Sequence, residues 1–136
     1  MGGRGATSGI YYWKKRWHKY GDEYGTVLQH RNIKYVRPKD GSVTAPMETM
    51  TNGRVYVVLS GDKIKSIAYY DKDGKRSKQV DVDHYHYVDG RRENPHTHMG
   101  YVHDEKGTRK PTARERRMID RAFRYWYAFL EARKMR

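Results

Sequence analysis

Residues 63–82 read KIKSIAYYDKDGKRSKQVDV, and the fold follows from how that stretch divides. Tyr70-Asp71-Lys72-Asp73-Gly74-Lys75 sets Asp-Gly between two extended runs, the clearest hairpin signal in the chain. The arms on either side, 63–70 and 75–82, therefore read as antiparallel strands. On the return arm the two-residue period puts Val80 and Val82 on one face and Gln79, Asp81, Asp83 and Tyr85 on the other. If the strand stays regular, the valine face runs on to His84 and His86, at or near the end of a sheet.

Upstream, 26–37 and 54–59 are rich in Val, Ile and Tyr and also read as strands. Pro38-Lys39-Asp40-Gly41 is a turn, 45–53 a loop, and Ser60-Gly61-Asp62 a tight connection into the hairpin. Downstream, 88–95 is turn chemistry, and His96-Thr97-His98-Met99-Gly100-Tyr101-Val102-His103 alternates again as a short strand antiparallel to the first. Such a return brings the two His-x-His pairs toward each other.

Thr112-Ala113-Arg114-Glu115 is a capping box, in which Thr112 accepts a backbone N–H and Glu115 reaches back. Behind it Met118, Ile119, Ala122, Phe123, Trp126, Phe129 and Leu130 form the apolar stripe of a helix reaching about Lys134. Arg117, Arg121 and Arg124 fall on another face, either as a solvated surface or as a phosphate-contacting ridge. Near the N-terminus, Trp13, Trp17 and Tyr20 recur at helical spacing among Lys14, Lys15, Arg16 and Lys19. They predict a short amphipathic helix packing its aromatic stripe on the domain, the rival reading being aromatics that stack on nucleobases. Residues 1–9, MGGRGATSG, are too small and glycine-rich to order themselves and read as a flexible arm.

The expected architecture is thus α+β, with one domain over 10–136. An antiparallel sheet of about four to six strands carries a short N-terminal helix and a long C-terminal helix.

The net charge of +13 is unevenly placed. Residues 1–20 hold five basic and no acidic side chains, 106–136 hold 11 and 3, and 21–105 balance at 13 each. Basic ends attract polyanions, nucleic acid first among them, although such charge also serves solubility. The chain has no cysteine, which excludes disulfides and thiolate metal sites. No stretch approaches the roughly 20 apolar residues of a membrane span, and no charged-then-apolar leader opens the sequence. A soluble, cytoplasmic protein with no membrane partner is expected.

Residues 81–105, DVDHYHYVDGRRENPHTHMGYVHDE, hold five of the seven histidines. Imidazole changes charge near neutral pH and is a common metal ligand, so the density points to a site. The first reading is metal-free acid/base cleavage of RNA through its 2′-hydroxyl. One histidine takes that proton and another protonates the leaving 5′-oxygen. His84, His96, His98 and His103 are the candidates, with Tyr101 as a proton donor or stacking ring. Lys78, Arg91, Arg92 and the helix arginines Arg117, Arg121 and Arg124 supply positive charge for phosphate. The second reading is a divalent transition-metal site, zinc for example, on His84, His86, His96 and His98, with His103, Asp81, Asp83 or Asp104 completing a shell. The third is structural, with histidines hydrogen-bonding loop carbonyls.

GRGATSG (3–9), YGDEYGTVLQHRNIKYVRP (20–38), TAPMETMTNGRVYVV (44–58), IKSIAYYDKDGKRSKQVDVDH (64–84), PHTHMGYVH (95–103) and the basic helix resemble, in that order, a small Firmicutes phage and prophage family. Its members also occur as the C-terminal domain of phage head-morphogenesis (minor capsid) proteins. The histidine-rich ending is similar, over a shorter span, to toxin domains of the barnase/EndoU/colicin/RelE-type ribonuclease fold, where a helix packs on an antiparallel sheet. The resemblance matches His84, His96, His98 and His103, with His86 beside them. It implies a phage or prophage protein in the bacterial cytoplasm or the virion. Its partners would be RNA rather than DNA, and a capsid component or an immunity protein. The aromatic-basic segment 11–19, the long 87–94 loop and the helix beyond Trp126 depart from the family pattern.

Overall fold

The computed structural model describes residues 10–13, 16–19, 24–39, 44–82, 86–88, 91–93, 95–101 and 106–135; for 10–13, 16–19, 86–88 and 91–93 the description is of backbone pairing. In chain order the strands are β1 (Ile10–Trp13), β2 (Arg16–Lys19), β3 (Tyr24–His30), β4 (Ile33–Pro38), β5 (Val55–Ser60), β6 (Lys63–Tyr70), β7 (Arg76–Asp81), β8 (His86–Val88), β9 (Arg91–Glu93), β10 (His96–Met99) and β11 (Thr108–Arg109). One helix, α1 (Ala113–Lys134), closes the described chain. The main sheet has seven strands in the order β11-β10-β7-β6-β5-β4-β3, antiparallel throughout except for the parallel pair β4–β5. β1–β2 and β8–β9 are separate two-stranded ribbons.

The hairpin stands where the sequence places it. Asp71 accepts from the backbone N–H groups of Asp73 and Lys75 at 2.9 and 3.0 Å, and Gly74 takes φ 80°. A side chain other than glycine meets a steric penalty there. β4 and β5 run parallel because 39–54 is long enough to carry the chain back across the sheet, as a parallel pair requires.

The sheet has two dissimilar faces. The cross-strand row Tyr35–Val57–Ile67–Val80–Thr97 lies beneath α1. The Tyr35 hydroxyl donates to the Ala122 carbonyl at 2.6 Å, its ring stacks on Trp126, and the Trp126 indole N–H donates to the Asp62 carbonyl at 2.8 Å. The opposite face carries a smaller core of Tyr24, Val36, Ala45, Tyr56, Val58 and Ala68. Val80 and Val82 both face the α1 core, as alternation requires.

Three expectations are corrected. The main sheet has seven strands, because the 24–38 segment folds into two strands around Arg31-Asn32 and Thr108–Arg109 adds a further one. The expected N-terminal helix is instead the β1–β2 ribbon, with Tyr12 opposite Trp17 and Trp13 opposite Arg16. Ile, Tyr and Trp are strong strand formers, and a two-residue Lys14-Lys15 connection favours a hairpin over one isolated helical turn. Finally, β7 ends at Asp81, short of the expected Val82; His84, to which the alternation was expected to run, lies outside the described residues. The proposed arm, 1–9, lies outside the described residues.

Candidate functional site

β10 docks antiparallel on β7 with His96 opposite Asp81, Thr97 opposite Val80 and His98 opposite Gln79. Alternation then sends Thr97 toward the helix and both histidines to the other face, where Asp81 and Gln79 already point. The return strand expected from the His-x-His spacing forms, and its nearest functional neighbour is a carboxylate.

Asp81 Oδ2 lies 2.9 Å from His98 Nε2 and 3.5 Å from His96 Nε2. The two rings stand nearly perpendicular with centroids 4.5 Å apart. His98 turns its other nitrogen, Nδ1, to the Thr108 hydroxyl at 3.1 Å, which β11 delivers because Thr108 pairs with His98. Gln79 Nε2 donates to the second Asp81 oxygen at 2.8 Å, and Arg76 donates to Gln79 Oε1 at 3.3 Å and to the Tyr101 carbonyl at 3.0 Å. The Tyr101 hydroxyl donates to Glu48 at 3.1 Å. One polar network thus runs along the sheet from Thr108 to Arg76, with Tyr101 and Glu48 at its far end.

The network is enclosed, with His96 0% and His98 2% exposed and Asp81 buried. Burial pushes the Asp81 carboxyl upward, but hydrogen bonds from His98 and Gln79 and the nearby imidazoles outweigh it and hold the group below the usual carboxylate range. It is therefore an anion at neutral pH. An anion held between two imidazoles can orient them, offset a positive charge on either, or share a cation with them.

On the helix side, Glu115 anchors β10 through Thr97, whose hydroxyl donates to it at 2.9 Å. Lys78 Nζ lies 2.6 Å from Glu115, Arg109 grips both its oxygens at 2.9 and 2.8 Å, and the Thr112 N–H donates at 3.0 Å. The capping box read from the sequence is present, and its glutamate is also the hub of a buried ion cluster.

The candidates consequently separate. His96 and His98 share one site, and Tyr101 joins it through the Arg76 network. Lys78 lies on the opposite face, bound to Glu115 and 4.6 Å above the Tyr69 ring. Arg117, Arg121 and Arg124 are exposed on α1, on that same side. Arg117 and Arg121 line a hollow of about 340 Å³ with Arg114, Tyr69 and Met118. His84 and His103 lie outside the described residues. His86 is opposite Glu93, and Arg91 and Arg92 pair with Val88 and Tyr87, all within the β8–β9 ribbon.

Asp81 entered the sequence reading as one of several acids for a metal shell, and Arg76 and Thr108 did not enter it. The signal for Asp81 was available. Once the valines of β7 belong to the core, the intervening Gln79 and Asp81 must face whatever alternate residues β10 offers. Thr108 depends on a two-residue strand that no local pattern announces.

Comparison with known protein families, with curated proteins and with solved structures found no match.

Proposed function

We propose that the chain is a phage- or prophage-encoded ribonuclease-like domain that cleaves RNA by metal-independent acid/base chemistry. The observation that carries this reading is the convergence of His96 and His98 on the buried Asp81 carboxylate. One imidazole accepts the proton of an RNA 2′-hydroxyl as its oxygen attacks phosphorus, and the other protonates the departing 5′-oxygen. The products are a cyclic 2′,3′-phosphate and a free 5′-hydroxyl. Asp81 at Nε2 and Thr108 at Nδ1 hold His98 in one ring orientation, and one of these partners gives way when the ring moves a proton of the RNA. Arg76 joins this network and is a further candidate for the phosphate role, beside Lys78, Arg91, Arg92 and the helix arginines. His84 and His103 stay in the candidate set through the family resemblance, and Tyr101 through its contact with Arg76. Both imidazoles are enclosed, so RNA reaches them only when the site opens.

A second reading has its own support in the exposed arginines of α1, which lie across the sheet from the histidines. They suit a basic phage protein that binds nucleic acid or a capsid partner without cleaving it.

Total RNA incubated with the protein, with and without chelator, separates the two. Cleavage that survives chelator and falls by at least about 100-fold in His98→Ala supports the ribonuclease. Intact RNA with salt-sensitive binding supports the second reading.

A further inference from the structure

We propose that Asp81, His96 and His98 form a binding site for a divalent transition-metal ion, with zinc(II) the ion that best suits the donor set. Two imidazole nitrogens and one carboxylate oxygen are the donors borderline metals prefer, and three protein ligands leave a fourth position for water or another small ligand. In a tetrahedral zinc site with bonds of about 2.0–2.1 Å, neighbouring donor atoms stand roughly 3.3 Å apart. Asp81 Oδ2 lies 2.9 Å from His98 Nε2 and 3.5 Å from His96 Nε2, and the three donor atoms lie within 4.8 Å of one another. Shifts of a few tenths of an ångström bring the two Asp81–histidine pairs to that spacing, and the two histidine donors lie within 4.8 Å of each other.

The groups behind the donors already hold the geometry a metal needs. Thr108 meets His98 Nδ1, and Gln79 meets the other Asp81 oxygen, Oδ1. The atoms that converge are His96 Nε2, His98 Nε2 and Asp81 Oδ2, and such outer partners fix ring orientation at metal centres. The ligands sit on paired strands inside a continuous sheet, which keeps their spacing firm. One carboxylate anion in an enclosed site also offsets half the charge of the ion.

This site does not depend on the ribonuclease reading, but it uses the same nitrogens. A bound ion holds the lone pairs that would move protons, so zinc is expected to block cleavage and chelator to restore it.

The full chain is stripped of metal and titrated with zinc chloride in a calorimeter and with cobalt(II) chloride as a spectroscopic substitute. The native protein should bind one ion in this site, with the visible absorption of four-coordinate cobalt. Asp81→Asn and His98→Ala should each weaken binding by at least about 100-fold, and Thr108→Val by about 10–100-fold. His30→Ala, on β3 beside Tyr125, should bind as the native chain does. The thermal midpoint of each metal-free variant reports folding. If Asp81→Asn does not fold, the graded loss in Thr108→Val carries the test. The proposal is overturned if the native chain shows no binding tighter than millimolar. It also fails if Asp81→Asn and Thr108→Val bind normally while His84→Ala or His86→Ala abolishes binding. RNA cleavage by the metal-free chain, measured alongside, distinguishes the two failures. Metal binding with no cleavage by the metal-free chain removes only the ribonuclease, and cleavage without metal binding removes only this site.

Discussion

Glu115 accepts from the Thr112 backbone, the Thr97 hydroxyl, the Lys78 ammonium and the Arg109 guanidinium while 1% exposed. Burial alone raises a carboxyl group's pKa, but the Arg109, Lys78, Thr112 and Thr97 contacts win and hold it at about 2, down from 4.5. A carboxylate whose folded value is depressed stabilises the fold fully above its unfolded value. That stability is lost as pH falls through the folded value, so the window here runs from about 4.5 down to about 2. The shift corresponds to roughly 3 kcal/mol. Urea unfolding of the native chain should therefore show a steep loss of stability below about pH 4.5. Glu115→Gln should start about 3 kcal/mol less stable at pH 7 and lose distinctly less over the same interval. An equal acid slope in both proteins would place the sensitivity elsewhere. Because Thr97 sits between His96 and His98, the same substitution tests whether the ion cluster fixes the strand that carries both histidines.

At the scale of elements, α1 has two separable supports, the cap and the buried stripe. Thr112→Ala removes one capping hydrogen bond and should lower stability by about 1 kcal/mol. Trp126→Ala opens the contact with Tyr35 and removes the bond to Asp62, and should lower it by about 3–5 kcal/mol. Both are read as shifts in denaturant midpoint, and a Thr112→Ala loss as large as that of Trp126→Ala would mean the cap holds more than the helix end. Elements whose signals are local were legible in the sequence: the Asp71–Gly74 turn through its side-chain hydrogen bonds, and α1 through its cap and stripe. The N-terminal ribbon was misread because Trp13 and Trp17 at a spacing of four fit a helical face as well as two arms of a hairpin. The β4–β5 parallel pair was not legible at all, since nothing within either strand states which distant partner it takes. Of the site, the His96–Thr97–His98 alternation was readable and the Asp81 partnership only half so. Facing residues follow from a register, and a register belongs to the assembled sheet.

Across the whole molecule the sheet separates two chemistries. The enclosed imidazoles and Asp81 occupy one face, while the exposed arginines of α1 occupy the other. A short substrate cannot span both. Arg117→Ala/Arg121→Ala/Arg124→Ala should therefore weaken binding of long single-stranded RNA at every sequence tested. Its salt dependence should become shallower by about 2 in log–log slope if each arginine meets one phosphate. Cleavage of a dinucleotide should stay at the native rate, and a matching loss there would mean the arginines act at the histidines after all.

The seven-stranded sheet also ends unequally. β11 offers two residues, and both its side chains are occupied, Thr108 with His98 and Arg109 with Glu115. So short a border gives an incoming chain almost no ladder to extend. At the other border β3 runs seven residues, with a register shift between Thr26 and Leu28 that disrupts its ladder. Strand-to-strand self-association, if concentration or mild denaturant drives it, should therefore begin along β3, leaving the border beside the histidines monomeric in character.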